Sequence, residues 1–288
     1  MSAPLLTVEN LRVDFVTRRG IVPAVRGISF GVGREKVGIV GESGSGKAVT
    51  GRAVLRLVPH PGRVSAKRID FDGVDLMGLS ERELRQIRGE RISMVMQDPK
   101  FSLNPVMRVG SQIAEAYRIH TGASASECRR RALAMLEAVR IRDVERVYRL
   151  FPHEVSGGMG QRIMIAMMLI PDPDLLIADE PTSALDVTVQ MQVLAIVDDL
   201  VSQRGMGLMF ISHDLNLVAS FCDRVLIMYA GQIVENCLAA ELHQARHPYT
   251  RGLLDSLPRV DDTRAELPTL ARDPAWLEPL AADRTAGS

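Results

Sequence analysis

The sequence predicts an α/β fold in which a mostly parallel sheet carries helices on both faces. Short apolar runs, typical of buried strands, alternate along the chain with longer segments whose apolar residues have helical spacing. Such alternation is typical of a parallel sheet. Polar residues directly follow several of the apolar runs, and ligands of such sheets bind at the carboxyl ends of the strands. We therefore expect a binding site along that edge.

The most informative segment is residues 41–47, with the sequence Gly-Glu-Ser-Gly-Ser-Gly-Lys. It lies between a predicted strand at 37–40 and a predicted helix at 48–57. Such a turn directs backbone N–H groups and the positive end of the helix dipole toward a phosphate, and Lys47 would reach the outer phosphates of a nucleotide. The full pattern has Ser or Thr next, to hold Mg²⁺, whereas position 48 is Ala. On this segment alone, a glycine turn without a ligand remains the alternative.

The other elements follow from apolar periodicity and turn residues. Strands are predicted at 5–15, 24–32, 69–71, 92–96, 175–178, 208–211, 225–229 and 233–235. The first of these is predicted to be an edge strand. Helices are predicted to begin near 110 and 124 and at the capping box of Ser80 and Glu83, and to cover 160–170, 187–203 and 215–221. The strands at 225–229 and 233–235 are predicted to form a hairpin across Ala230-Gly231. The stretch from 109 to 150 carries several arginines, which predict either a solvated face or a docking surface.

Composition limits the class of protein. A chain of 288 residues, 46% of them hydrophobic, can bury a core. Lys plus Arg equals Asp plus Glu at 35 each, which argues against nucleic acid as the main partner. The longest apolar run is eight residues, too short to span a membrane, and no signal segment is evident, so we expect a soluble, cytosolic protein. Three scattered cysteines predict neither a disulfide framework nor a zinc or iron–sulfur centre.

Four polar residues at predicted strand ends could carry out nucleotide chemistry. Asp179 could hold Mg²⁺, and Glu180 could accept a proton from an attacking water. Gln97 could bridge the metal and the water, and His213 could hydrogen-bond the γ-phosphate. A structural Asp-Glu pair, a surface turn at Gln97 and a structural histidine are the alternatives for each residue taken alone.

A second anion site is predicted at Ser156-Gly157-Gly158, just before a helix. Ser156 could cap the helix, and the glycines let backbone N–H groups approach a phosphate closely. Phe15 could stack on adenine, although a core position is nearly as plausible for it. Two anion sites with one hydrolytic carboxylate predict that two chains share each nucleotide.

Together and in this order, these motifs resemble those of the nucleotide-binding subunit of an ABC transporter over about residues 5–258. They comprise the phosphate loop, the glutamine loop at Gln97, the signature Ser156-Gly157-Gly158-Met159, the acidic strand end at 175–180, the Ser183-Ala184-Leu185-Asp186 loop and His213. The segments 97–105 and 247–258 resemble the peptide and nickel importer branch of that family.

The resemblance implies a RecA-like P-loop NTPase core with an inserted helical subdomain and an N-terminal antiparallel β element. The implied domains are the nucleotide-binding core at 1–100 and 156–237, the helical insertion at 101–155 and a C-terminal extension at 238–288. ATP and Mg²⁺ are the implied cofactors. The implied activity is ATP hydrolysis that powers an importer for peptides or a related small solute such as a metal chelate.

The implied partners are two membrane-spanning permease subunits, a second ATP-binding subunit, identical or different, and an extracytoplasmic solute-binding protein. The implied location is the cytoplasmic face of the cell (inner) membrane, as a peripheral protein. No nucleic-acid partner is expected.

The resemblance also assigns roles to single residues. Glu180 would be the general base, His213 would sense the γ-phosphate, Asp179 would serve the metal, and Gln97 would contact both Mg²⁺ and water. Phe15 would stack on adenine. The phosphate would be held by Gly41, Glu42, Ser43, Gly44, Ser45, Gly46, Lys47, Ala48 and Val49. The nucleotide of the second subunit would be contacted by the signature residues Ser156, Gly157, Gly158 and Met159.

Three features depart from the family pattern: Ala48, Gly160 where a basic residue commonly follows the signature, and the lack of a cysteine-rich C-terminal segment. Ala48 leaves open a degenerate nucleotide-binding regulatory half paired with a competent ATPase subunit, although Glu180 and His213 are intact. A soluble ABC ATPase acting on DNA or ribosomes is disfavoured, because long coiled coils, a second cassette or a basic patch would be expected.

Overall fold

The computed structural model describes residues 4–96, 102–183, 185–256 and 276. By its internal contacts the chain divides into two compact units. The helix-rich unit comprises residues 1–5, 32–34 and 74–210, and the phosphate-loop unit comprises residues 6–31, 35–73 and 211–288. Within the described ranges, no helix is both long enough and apolar enough to cross a membrane.

The described elements alternate between strand and helix over much of the chain. The strands are β1 (Leu6–Thr17), β2 (Gly20–Val32), β3 (Lys36–Val40), β4 (Gly62–Ser65), β5 (Arg68–Phe71), β6 (Val74–Asp75), β7 (Ile92–Val95), β8 (Leu175–Asp179), β9 (Gly207–Ser212), β10 (Arg224–Tyr229) and β11 (Gln232–Leu238). The helices are α1 (Lys47–Val54), α2 (Glu81–Ile87), α3 (Val109–Thr121), α4 (Ala125–Ala138), α5 (Val144–Arg149), α6 (Gly157–Leu169), α7 (Val187–Arg204), α8 (Leu215–Phe221) and α9 (Pro248–Asp255). Two short 3-10 helices cover Pro152–Glu154 and Ala239–Gln244.

An antiparallel sheet forms the N-terminal part of the phosphate-loop unit. Strand β1 pairs with β2 on one side and with β4 and β5 on the other. Its apolar side chains Leu6, Val8, Leu11 and Val13 are buried. The prediction of an edge strand is therefore wrong. The β4–β5 segment, which pairs with β1, comes about fifty residues later in the chain, so the local pattern of β1 could not reveal it.

The strand that leads into the phosphate loop belongs to a second group of strands in the same unit. Strand β3 pairs in parallel with β10, which pairs in turn with β11 across the turn at Ala230-Gly231. Helix α8 packs directly on β3, because a Cβ atom at Gly38 would lie only 2.1 Å from Cγ1 of Val218. Glycine at position 38 therefore lets α8 cover the strand that aims the loop.

The helix-rich unit combines short parallel strands with a group of packed helices. Its strands run in the order β9–β8–β7, and β7 and β8 are parallel. Helices α3, α4 and α5 lie inside the segment predicted as the helical insertion, and Gly110 on α3 lies against the Tyr148 ring on α5. The predicted domain boundaries themselves stay a prediction.

Two helix starts test the use of capping signals. Ser80 and Glu83 form the predicted capping box: Ser80 Oγ accepts the Glu83 N–H, and Glu83 Oε2 accepts the Ser80 N–H at 2.8 Å. Helix α6, predicted from 160, instead begins at Gly157, so the glycines of the signature lie within its first turn. Because glycine has a low helix propensity, the sequence pattern did not indicate this start. The Ser156 cap compensates for that low propensity.

Helix α9 begins on a buried histidine. The Nδ1 atom of His247 accepts the Tyr249 N–H at 3.1 Å, and Glu235 Oε2 accepts the His247 N–H at 2.8 Å. Burial lowers the pKa of His247, while the charge of Glu235 acts in the opposite direction. The neutral imidazole is therefore the form that caps this helix.

Acidification is expected to destabilise the protein through His247. The folded state holds this pKa below its ordinary value of 6.5. The unfolded chain therefore binds the proton more readily, and stability is lost as the pH falls below about 6.5. The measurement is the thermal unfolding midpoint between about pH 8 and about pH 5.5.

The variant His247→Asn keeps a side-chain acceptor for the cap and removes the titration, so its midpoint should depend less on pH. The control is His153→Asn, which changes an exposed histidine. A pH dependence in His247→Asn equal to that of the wild type would show that this histidine does not carry the effect.

Candidate functional site

The phosphate loop runs from the end of β3 to the start of α1. Gly44 and Gly46 have φ angles of 80° and 100°, in the left-handed region that glycine adopts without strain. A Cβ atom at Gly46 would lie 2.5 Å from the carbonyl oxygen of Ala24. The helix therefore starts on a residue that must be glycine, and its first N–H groups face the loop.

Lys47 places a positive charge inside the loop. Its side chain is buried, and Nζ donates to the carbonyl oxygens of Gly41 at 2.7 Å and Glu42 at 2.8 Å. Beside it, Ser45 Oγ is buried and has no hydrogen-bond partner among the described residues. A cavity of about 200 Å³ adjoins the loop, lined by Glu42, Ser43, Gly44, Ser45, Tyr229 and Ala230. These features fit the phosphates of a nucleotide.

The acidic strand end lies in the helix-rich unit. Asp179 is the last residue of β8 and is buried. Glu180, the next residue, is half-buried and has a φ of 46°, a left-handed conformation that is uncommon outside glycine and costs energy. The turn that follows holds it, because the N–H and Oγ of Ser183 both donate to the Glu180 carbonyl oxygen, at 3.3 and 3.2 Å. Backbone strain at a carboxylate beside a buried Asp is typical of a functional position.

The signature segment caps α6. Ser156 Oγ accepts the Met159 N–H at 3.4 Å. Gly158 packs against α7, since a Cβ atom there would lie 2.6 Å from Cγ1 of Val189. At Gly157 a Cβ atom would meet nothing within 4 Å among the described residues, and the residue is exposed. The packing within the described chain therefore explains glycine at 158 and does not explain it at 157.

His213 and Phe15 lie in the same unit as the phosphate loop. His213 follows β9 directly and is exposed, and Asp214 beside it caps α8 by accepting the Leu217 N–H at 3.0 Å. Phe15 is half-buried on β1, opposite Gly62 of β4. Gln97 lies outside the described residues. The structure thus groups Phe15 and His213 with the loop, and groups Asp179 and Glu180 with the signature.

The comparisons with known proteins agree with this set of motifs. Residues 25–183 match the family described as "ABC transporter". The chain is 48% identical over 281 residues to a probable peptide ABC transporter ATP-binding protein of Sinorhizobium fredii, covering 96% of this chain and 84% of that protein. It is also 48% identical over 265 residues to the oligopeptide transport ATP-binding protein OppD of Bacillus subtilis, covering 91% of this chain and 74% of that protein.

The chain belongs to the ABC transporter family. A solved structure of an ATP-binding cassette, MJ0796, in a dimeric post-hydrolysis state with ADP and Pi, superposes with a TM-score of 0.73 at 25% identity. The superposition covers 81% of this chain and 98% of that cassette. The predicted RecA-like P-loop fold, the ABC ATPase activity and the resemblance to the peptide importer branch are confirmed. Nothing in the comparisons supports the alternative of a degenerate regulatory half.

The structure shows why Thr50 does not replace the hydroxyl missing from this ABC cassette at position 48. Ala48 and Val49 lie half-buried in the first turn of α1. Thr50 is fully buried, and its Oγ1 donates to the Gly46 carbonyl oxygen at 2.9 Å, so it is committed to the helix backbone. Thr50 therefore does not supply the hydroxyl that is missing at position 48.

Sequence reasoning missed the outer support of the loop in this ABC cassette. The Gly231 N–H donates to the Ser45 carbonyl oxygen at 3.0 Å, and the Glu42 N–H donates to the Tyr249 hydroxyl at 3.2 Å. In the sequence, Tyr249 is marked only by its place in the branch segment 247–258. The apolar face of α9 indicates that the helix packs against another part of the chain, but no local pattern identifies the phosphate loop as that part.

Proposed function

We propose that this ABC ATPase powers an importer for peptides or a related small solute such as a metal chelate. The observation that carries the proposal is the phosphate loop. Its residues Glu42 to Ser45 line one cavity, Ser45 Oγ is buried without a hydrogen-bond partner among the described residues, and the buried Lys47 ammonium lies within the loop. The solute class rests on the names of the similar proteins, which are peptide, oligopeptide and dipeptide transport ATP-binding proteins.

The loop residues bind and orient the nucleotide. Backbone N–H groups and the Lys47 ammonium hold the phosphates, and Phe15 stacks on the adenine. Glu180 takes a proton from the attacking water, and His213 hydrogen-bonds the γ-phosphate. The strained turn at Glu180 is the feature that supports its role, because strain of this kind is retained where geometry matters.

Mg²⁺ is the second proposed cofactor, held by Asp179 and Gln97. When bound, it neutralises charge on the phosphates and helps to align them. Water would take the place of the missing hydroxyl, since Mg²⁺ commonly keeps several waters. The predicted absence of a zinc or iron–sulfur centre stays a prediction.

The proposed assembly contains two permease subunits, a second ATP-binding subunit, identical or different, and an extracytoplasmic solute-binding protein. The chain acts as a peripheral protein at the cytoplasmic face of the cell membrane. In this assembly Ser156, Gly157, Gly158 and Met159 act on the nucleotide of the second subunit. Gly157 supports this role, because glycine there serves nothing in the described chain and leaves the cap open to an external phosphate. Val187 and Met191, exposed on α7, suit a protein contact.

Solute uptake by reconstituted vesicles tests this function. Vesicles with the permease subunits, this chain and a second ATP-binding chain should take up peptide or metal chelate when ATP is supplied. Vesicles that lack the second ATP-binding chain are expected to be inactive if the two chains differ. Full uptake with this chain alone would establish a homodimer, and no uptake of either solute class with any combination would overturn the function.

Removing the proposed base should separate binding from hydrolysis. The variant Glu180→Gln should bind ATP nearly as well as the wild type and should hydrolyse it about 10²–10⁴-fold more slowly in the assembled transporter. The measurements are ATP binding and turnover. The control is Glu137→Gln on the exposed face of α4, which should keep full turnover. A Glu180→Gln turnover equal to that of the control would remove Glu180 from this role.

Restoring the hydroxyl at position 48 should strengthen the metal site. The variant Ala48→Ser supplies the inner ligand that the loop lacks, so the Mg²⁺ concentration for half-maximal nucleotide binding should fall about 10-fold or more. ATP hydrolysis should rise as well. Mg²⁺ titrations of nucleotide binding and of ATPase rate provide the two measurements.

The matched control for the metal site is Thr50→Val. It removes a hydroxyl that already bonds to Gly46, so its Mg²⁺ dependence should match that of the wild type. Superimposable Mg²⁺ curves for Ala48→Ser and the wild type would show that this chain builds its metal site by another route.

A further inference from the structure

Three aromatic rings of the phosphate-loop unit form a cluster beside the phosphate loop. They are Tyr229 at the end of β10, Tyr249 in the first turn of α9, and Trp276. The two tyrosine rings lie 4.4 Å apart between centroids, and the Trp276 ring meets them edge-on at 5.9 Å and 6.0 Å. The proposed chemistry does not use this aromatic cluster, and of its three rings only Tyr249 lies in a family motif, the branch segment 247–258.

Tyr249 joins the aromatic cluster to the loop backbone. Its side chain is fully buried, and its hydroxyl accepts the Glu42 N–H at 3.2 Å. Glu42 is the second residue of the loop, and Lys47 Nζ bonds to its carbonyl oxygen. The hydroxyl therefore fixes the Gly41–Glu42 peptide unit, whose carbonyl oxygen accepts a hydrogen bond from Lys47 Nζ at 2.7 Å.

Tyr229 joins the aromatic cluster to the loop cavity. It lines the same cavity as residues 42–45 and stands directly before Ala230 and Gly231. The Gly231 N–H donates to the Ser45 carbonyl oxygen at 3.0 Å, so the turn after Tyr229 also holds the loop. The Glu42 N–H is thus held by α9, and the Ser45 carbonyl oxygen is held by the turn after β10. The contact between the Tyr229 and Tyr249 rings joins these two elements.

We infer that Tyr249 is a positioning residue for the phosphate loop, and that Trp276 supports it by closing the aromatic cluster. Through these contacts, residues beyond the acidic, histidine and signature motifs help to set the affinity for nucleotide. The inference rests on the proposed binding of nucleotide at this loop.

The physical basis is preorganisation of the free loop. Bound nucleotide holds the loop through many contacts, whereas the free loop depends on bonds from its surroundings. When only a fraction of free molecules has the competent loop, the apparent dissociation constant rises by the inverse of that fraction. Loss of one buried hydrogen bond typically costs about 0.5–1.5 kcal/mol, which corresponds to about a 2- to 10-fold change in such an equilibrium.

The variant Tyr249→Phe tests the inference because it removes only the hydroxyl and keeps the ring. In the full chain, the dissociation constant for ADP should rise about 2- to 10-fold. In the assembled transporter the KM for ATP should rise by a similar factor, while kcat changes by less than about 2-fold, since Glu180 is unchanged. The control is Tyr148→Phe, whose ring lies against Arg129 in the helix-rich unit and whose ADP affinity should not change.

Trp276 supplies an independent second variant. Trp276→Ala opens one side of the aromatic cluster and should weaken ADP binding by up to about 10-fold, because an aromatic pair contributes about 0.5–1.5 kcal/mol beyond its buried area. Trp276→Phe keeps an edge-on ring and should restore most of the affinity. Since Trp276 is the single tryptophan of the chain, its fluorescence should also change when ADP binds.

The outcomes separate this inference from the proposed function. A wild-type chain that binds neither ADP nor ATP would overturn both. A wild-type chain that binds ADP, with Tyr249→Phe and Trp276→Ala binding it equally well, would overturn the positioning role alone. Lower thermal stability of these variants without a change in ADP affinity would likewise show a purely structural role.

Discussion

The shape of the phosphate loop depends on backbone approaching it at distances that only glycine permits. A Cβ atom at Gly41 would lie 2.1 Å from the Met228 carbonyl oxygen, and one at Gly46 would lie 2.5 Å from that of Ala24. Strand β10 therefore lies in close contact with the loop at Gly41, and strand β2 of the antiparallel sheet does so at Gly46. In that space the loop cannot relax, so the Lys47 ammonium stays bonded to the carbonyl oxygens of Gly41 and Glu42. Catalytic positioning in this ATPase begins with that steric constraint.

In the helix-rich unit, the proposed catalytic residue Glu180 is held by hydrogen bonds and not by close packing on glycine. The loop relies on glycine, whereas Glu180 adopts a left-handed backbone conformation that its side chain disfavours. The Ser183 bonds to its carbonyl oxygen and the buried strand before it hold the residue in this state. The turn therefore maintains a backbone conformation that costs energy at the residue proposed as the general base.

The signature segment shows how two adjacent glycines serve different constraints. Gly158 is required by Val189 on α7, whereas nothing in the described chain approaches Gly157. With Ser156 already capping the helix, the exposed side of Gly157 leaves the cap accessible from outside the chain.

The sequence by itself determined the kind and order of most elements, although it did not predict β4, α5 or α9. The turn at 41–47, the capping box of Ser80 and Glu83, and the hairpin at Ala230-Gly231 are set by neighbours in the chain, so local patterns predict them. Only the tertiary structure decided that β1 lies inside its sheet and that the Tyr249 hydroxyl bonds to Glu42. It alone revealed the backbone strain at Glu180 as well. These features join residues distant in sequence or depend on the surrounding packing, and such long-range contacts leave no periodic trace in the local sequence.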